Sequence, residues 1–216
     1  MNLKVVDHPI VHELITKLRD VNTGTELYRI YSGQLTELLV YEALRDLSTT
    51  GKKVRTQTEA EYEGVLVSEK IAFISILRAG LAMMIKPLEM FPEAEFHAVG
   101  IKRDEEDPFN ADPVFYLDRL YEIGKNIDRI IIVDPMFATG GTMLTLLRGL
   151  VEERGFKGRI DIVNFIVAKV GAEKVSEKYP EVRFTCAGYD SELNVKGYIV
   201  PGLGDAGDRF FGVNQK

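Results

Sequence analysis

A chain of 216 residues is long enough for one α/β domain with a substantial buried core. Its 27 Lys and Arg stand against 33 Asp and Glu, a formal charge of -6, which argues against a general nucleic-acid binder because such affinity rests on neutralising phosphates. The single Cys186 excludes an intramolecular disulfide, and no apolar run approaches the roughly 18 residues that span a membrane, so a reducing, cytoplasmic setting is expected.

The first 48 residues read as helical. Over 8–20, Ile10, Val11, Leu14, Ile15 and Leu18 fall on one stripe; over 25–47, Leu27, Ile30, Tyr31, Leu35, Leu38 and Leu39 repeat it. Residues 54–57 and 62–67 read as a short antiparallel pair. The run 71–77 is almost continuously apolar, as expected for a strand covered on both faces of a parallel sheet. A helix is expected over 81–90, ended near Pro92, then strands over 96–102 and 114–120. Between those strands, 103–113 is acidic and turn-rich and reads as the tip of an arm or a flap. Strands at 130–133, 160–168 and 182–187 then alternate with helices at 143–154 and 171–179. This order predicts an α/β fold: a mostly parallel central sheet flanked by helices, in one domain over 1–216. Its core would run from about 65 to 190, with 1–64 and 191–216 forming a small hood and an interface.

The strand at 130–133 runs into Asp134-Pro135-Met136-Phe137-Ala138-Thr139-Gly140-Gly141-Thr142, and Leu144, Leu147, Leu150 and Val151 then share one helical face. Ligands of open α/β sheets bind beyond the carboxyl ends of strands. Glycines let backbone N–H groups approach an anion, and a helix start adds unpaired donors and a positive dipole end. Thr139 and Thr142 bring hydroxyl donors, whereas Asp134 suits sugar hydroxyls rather than phosphate. As an isolated pattern, such a turn is an ordinary connection. The full string is more specific: it resembles the phosphoribosyl pyrophosphate (PRPP) motif of type I phosphoribosyltransferases. Most of that family carry two adjacent acids. Here Pro135 replaces the second, as in the uracil-specific branch.

Two nucleotide motifs are excluded. No Lys follows Gly140-Gly141, as a P-loop would require, and Gly202-Leu203-Gly204-Asp205-Ala206-Gly207 matches G-x-G-x-x-G with no room for a following βαβ unit. That Gly-rich segment, 197–212, can instead wrap backbone donors and acceptors around a flat polar ring, and such a site rejects rings with the wrong pattern. It resembles the uracil-binding signature of uracil phosphoribosyltransferases. Two further contexts, Leu77-Arg78-Ala79-Gly80-Leu81 and Arg103-Asp104-Glu105-Glu106, resemble that family's PRPP-contacting arginines.

The resemblance implies transfer of phosphoribose from PRPP to N1 of uracil, giving UMP and pyrophosphate, with Mg²⁺ held mainly through PRPP. It implies PRPP binding by Arg78, Arg103, Asp134, Pro135, Met136, Phe137, Ala138, Thr139, Gly140, Gly141, Thr142 and Asp205, and uracil binding by Ile199, Gly204, Asp205 and Ala206. Arg78, Arg103 and Asp205 would be the catalytic groups, Asp205 as an orienter or base. The family is oligomeric, so a homodimer or homotetramer is expected, and some members respond to GTP or CTP. The competing readings are a transferase for purines or orotate, and a PRPP- or nucleotide-sensing RNA-binding regulator on the same fold.

Overall fold

In the computed structural model, which describes residues 1–102 and 113–213, an eight-stranded sheet runs through the chain. Strand β1 (Asn2–Val5) precedes helices α1 (Pro9–Arg19) and α2 (Thr25–Ala43), the paired strands β2 (Thr49–Arg55) and β3 (Glu61–Val67), and β4 (Ile71–Leu77). A 3-10 turn (Ala79–Met83), α3 (Ile85–Met90), β5 (Glu95–Lys102), β6 (Val114–Leu117), β7 (Arg129–Val133) and β8 (Met136–Phe137) follow. Helix α4 (Gly141–Leu147) continues into a π-helical turn (Arg148–Glu153), and then come β9 (Arg159–Ala168), α5 (Lys169–Lys178), β10 (Arg183–Asp190), β11 (Glu192–Leu193), β12 (Ile199–Val200) and α6 (Ala206–Phe211).

The sheet order is β1-β10-β9-β7-β4-β5-β6, with β8 beside β9; only the β5–β6 pairing is antiparallel. The chain therefore steps to one side from β4 to β5, and then to the other side of β4 with β7. That reversal opens a crevice at the carboxyl ends of β4 and β7, where open α/β sheets take their ligands. The expected class, an α/β fold on a mostly parallel sheet with an antiparallel arm, is the observed one.

Burial explains the strand assignments. In β4, Phe73 faces the core under α1 and α2, while Ala72, Ile74 and Ile76 face the core under α4. Both faces of the sheet are covered, so the strand carries no polar alternation.

Several expectations require correction. Residues 2–5 are not helical: they form an edge strand paired in parallel with β10, a tertiary pairing that so short a segment does not announce. The helix expected over 81–90 is a 3-10 turn followed by the short α3, and the strand expected over 114–120 stops at Leu117. The second N-terminal helix ends at Ala43, not 47. Its buried face also differs: Tyr28, Ser32, Leu35, Thr36, Leu39 and Val40 are buried, whereas Leu27 and Ile30 are exposed. Two hydroxyl residues on the inner face hid the true stripe; Thr36 satisfies its own hydroxyl on Ser32 O at 2.7 Å. Ile10 of the first helix is likewise exposed. Of the expected arm or flap tip at 103–113, residues 103–112 lie outside the described residues.

Among the described residues no helix is long and apolar enough to cross a membrane.

Candidate active site

Three chain segments meet at the carboxyl ends of β4 and β7. They line one cleft of ≈ 200 Å³: Ile76 to Ala79 after β4, Asp134 and 136–140 with Thr142 and Met143 after β7, and 197–199 with 205–207 from the C-terminal segment. Ile101 closes one side. Thr139 and Asp205, 66 positions apart by their numbers, thus share one wall system.

The β7–α4 turn is held from below. Asp134 N–H donates to Val163 O at 3.2 Å, and the buried Asn164 donates its amide to Asp134 O at 2.6 Å. Pro135 O accepts from the N–H groups of both Phe165 and Ile166 at 3.1 Å. The loop then turns through Gly140, which caps α4 at φ 82. An L side chain is strained there, and a Cβ would also come within 3.0 Å of Gly171 O. Gly171, in the first turn of α5, presses against the same loop so closely that a Cβ on it would overlap Ala138 O. The loop backbone is therefore fixed by β9 and α5 together, leaving the unpaired N–H groups of α4's first turn at the cleft. Positioning errors of about 1 Å cost roughly 10²-fold in rate. Gly171→Ala should therefore lower kcat/KM by about 10²-fold through KM for the phosphate-bearing substrate, with far-UV circular dichroism unchanged. Unaltered steady-state kinetics would remove α5 from this role.

Arg78 stands at the end of β4, with its side chain 65% exposed. Its guanidinium lies 3.5 Å from Asp208 and 5.7 Å from the Phe211 ring centroid, so it reaches along the cleft rim to α6. Asp205 caps α6, its Oδ1 accepting from Asp208 N–H at 2.8 Å. The preceding turn is fixed by Arg19, which forks onto both oxygens of Asp190 at 2.7 and 2.8 Å and onto Gly202 O at 2.8 Å. Asp190 in turn accepts from Gly202 N–H at 3.0 Å.

A family model described as uracil phosphoribosyltransferase matches residues 5–213. The chain belongs to the uracil phosphoribosyltransferase family. A uracil phosphoribosyltransferase of Caldanaerobacter subterraneus subsp. tengcongensis is 41% identical over 211 residues, covering 98% of both chains. One from Thermus thermophilus is 38% identical, covering 98% of this chain and 99% of the relative. Among solved structures, the AQ2163 protein of Aquifex aeolicus superposes with a TM-score of 0.87 at 35% identity, over 98% of each chain. The adenine phosphoribosyltransferase of Leishmania donovani, at 17% identity, shares the fold with a TM-score of 0.58 over 88% of this chain and 84% of that one.

Within this uracil phosphoribosyltransferase family member, Arg78, Asp134, Met136, Phe137, Ala138, Thr139, Gly140, Thr142, Ile199, Asp205 and Ala206 line the cleft together. Pro135, Gly141 and Gly204 do not line it. Pro135 is buried and holds the turn through its carbonyl; Gly141 sits under Pro113 in the first turn of α4; Gly204 lies in an exposed turn beside Arg209. Arg103 lies outside the described residues. Gly197, Tyr198 and Gly207 also line the cleft; they lie within the 197–212 signature but are not among its expected binding residues, while Ile101 and Met143 carry no local signal, being strand-end and helix residues that only the fold brings to the cleft.

Among the described residues no group of three or more His, Cys, Asp or Glu side chains could hold a metal ion. The cleft offers two carboxylates, Asp134 and Asp205, from separate segments. This donor set fits an oxygen-seeking cation that keeps substrate phosphates and water as most of its ligands.

Proposed function

We propose that this chain transfers the 5-phosphoribosyl group of PRPP to N1 of uracil, giving UMP and pyrophosphate. The observation that carries this reading is the meeting of Arg78, the 136–142 loop and the Asp205 segment around one small cleft, in a chain of this family.

The β7–α4 loop supplies backbone N–H and Thr hydroxyl donors to the 5-phosphate, and Asp134 accepts from the ribose hydroxyls. Arg78 takes the pyrophosphate, joined by Arg103 on the strength of its sequence context. The C-terminal segment at Ile199, Gly204, Asp205 and Ala206 receives the uracil edge. Bound Mg²⁺, held mainly by phosphate oxygens with Asp134 and Asp205 at hand, would offset charge on the departing pyrophosphate. The C1–O bond breaks with its electron pair leaving on pyrophosphate, the N1 lone pair forms the new bond to C1 from the opposite face, and the N1 proton passes to water. The residues contribute positioning and charge stabilisation. The cap bond from Asp208 N–H fixes the Asp205 carboxylate, which favours its orienting role over that of a base.

The test is direct. Purified protein, Mg²⁺, PRPP and each of uracil, cytosine, hypoxanthine, adenine and orotate are mixed, and the nucleotides are separated. UMP with stoichiometric pyrophosphate is expected from uracil and no nucleotide from the others; a purine or orotidine nucleotide instead would overturn the reading. The RNA-binding alternative finds no support in the two curated relatives, which are both transferases by name.

A homo-oligomer is part of the same proposal, with GTP or CTP as candidate effectors. The β2–β3 arm leaves Val54, Tyr62, Val65, Leu66 and Val67 exposed. An isolated two-stranded ribbon is marginal in water, and a second copy of the chain would cover these side chains.

A further inference from the structure

Arg209 lies one turn into α6 and does not line the cleft, yet it is bonded to both parts of the hood. Its Nη1 donates to Leu18 O and, at 2.8 Å, to Leu203 O. Its Nη2 donates to Asp20 O at 2.7 Å and Thr23 O at 3.4 Å. The guanidinium plane lies over the buried Tyr28 ring, 4.4 Å from the centroid. Among the described residues no carboxylate stands within ion-pair distance of it. Its counter-charge is instead a set of main-chain carbonyls, Leu18 and Asp20 among them at the C-terminal, negative end of α1, together with the electron-rich face of Tyr28.

The placement matters because of what each carbonyl belongs to. Leu203 immediately precedes Gly204, Asp205 and Ala206. Leu18, Asp20 and Thr23 belong to the end of α1 and the turn into α2. Arg209 N–H also donates to Asp205 O at 3.0 Å, closing the first turn of the helix that Asp205 caps. One side chain thus references both ends of the 203–209 segment to the α1–α2 turn. Arg19, the last residue of α1, ties Gly202 to the same turn. The loop has no sheet ladder of its own at 203–205, so these contacts set its height above the cleft.

We infer that Arg209 is the positioning residue of the base subsite: it fixes the main-chain edge at 204–206 against which the pyrimidine is read, without touching either substrate. This rests on the proposed uracil transfer. The geometry requires Arg rather than Lys. A planar fork with several divergent N–H groups can serve carbonyls on both sides while stacking on a ring; an ammonium is a point donor and cannot. A shifted loop would leave polar groups of uracil unpaired, so recognition of the base should suffer first, and the phosphate loop, held by β9 and α5, should not.

The test uses the full chain with Arg209→Lys, and Tyr28→Leu as a second variant that removes the ring under the guanidinium but none of its carbonyl partners. For Arg209→Lys, KM for uracil should rise by about tenfold or more while KM for PRPP stays within about twofold, and the preference for uracil over cytosine should narrow by about tenfold. Tyr28→Leu should shift the same parameters in the same direction by a smaller factor. PRPP binding measured calorimetrically without base reports that the cleft is folded, and if Arg209→Lys melts below the assay temperature, Tyr28→Leu decides. Equal rises in both KM values, or an unchanged KM for uracil in whichever variant is folded, would overturn the inference. If the wild-type chain makes no UMP, it is the proposed reaction that fails; if it makes UMP and the variants match it, only the role of Arg209 fails.

Discussion

Replacing Arg78 by Ala is expected to lower kcat/KM for PRPP by about 10²–10³-fold while the melting temperature stays within about 3 °C of wild type. The two halves of this expectation have separate causes. Structurally, the side chain is 65% exposed and its carboxylate partner Asp208 is 3.5 Å away. Exposed ion pairs of this kind contribute roughly 0.2–1 kcal/mol, so little stability is at stake. Chemically, the departing group is a pyrophosphate, on which negative charge accumulates as the C1–O bond opens. In the proposed reaction a planar cation at the rim of the cleft would act on that charge as it develops, and losing one such donor typically costs roughly two to three decades. The fork that now faces a carboxylate matches phosphate equally well. Arg78→Lys should recover only a part of the loss, since an ammonium keeps the charge and forfeits the bidentate geometry. Steady-state kinetics beside differential scanning calorimetry decide the matter. Near wild-type kcat/KM in the Ala variant would remove Arg78 from the reaction.

The second large effect falls at the other end of the sheet and on stability alone. Arg129, the first residue of β7, is fully buried. Its Nε donates to Asp161 at 2.7 Å, and its Nη2 donates to Ala43 O at 2.9 Å and to Asp46 at 3.0 Å. Arg183 bridges the same two acids, at 2.8 Å from Asp161 and 2.7 Å from Asp46. The network thus bolts α2's C-terminal turn to β7, β9 and β10. Removing Arg129 leaves the buried Asp161 held by Arg183 alone and leaves Ala43 O without its guanidinium donor; breaking a buried pair from one side costs up to about 3–5 kcal/mol. Arg129→Met should therefore lower the melting temperature by about 10 °C. Below its own melting point the single variant should keep kcat/KM, because the network lies at the amino ends of the strands and the cleft at their carboxyl ends. A melting temperature within about 2 °C of wild type would show that the network contributes nothing net.

The same network sets an acid limit. The hydrogen bond from Arg183, reinforced by Arg129, holds the Asp46 carboxyl well below its usual range against the opposing effect of partial burial. A carboxyl depressed in the folded state stabilises the fold above its unfolded value of about 4, and that contribution is lost as the pH falls below it. Because Asp46 is half exposed, solvent screening keeps its own share modest.

The order of strands and helices was readable because each buried strand of a parallel sheet is an apolar run a few residues long. The cleft was readable for a related reason: a loop that presents consecutive main-chain groups needs its small residues side by side, so the 134–142 turn and the 197–212 segment, the proposed phosphate and base loops, are contiguous strings. What the tertiary structure alone decided is whatever joins positions far apart. The pairing of residues 2–5 with β10, the buried face of α2 through Ser32 and Thr36, the close approach of Gly171 to Ala138, and the cap that turns Asp205 into a fixed group are all of this kind. Arg129 and Asp161 are 32 positions apart, and Arg209 and Leu18 are 191 apart. A guanidinium has no preference in the sequence for one distant carbonyl over another. Its partners are chosen only when packing brings a desolvated oxygen within reach, because that is where leaving either group unpaired becomes costly.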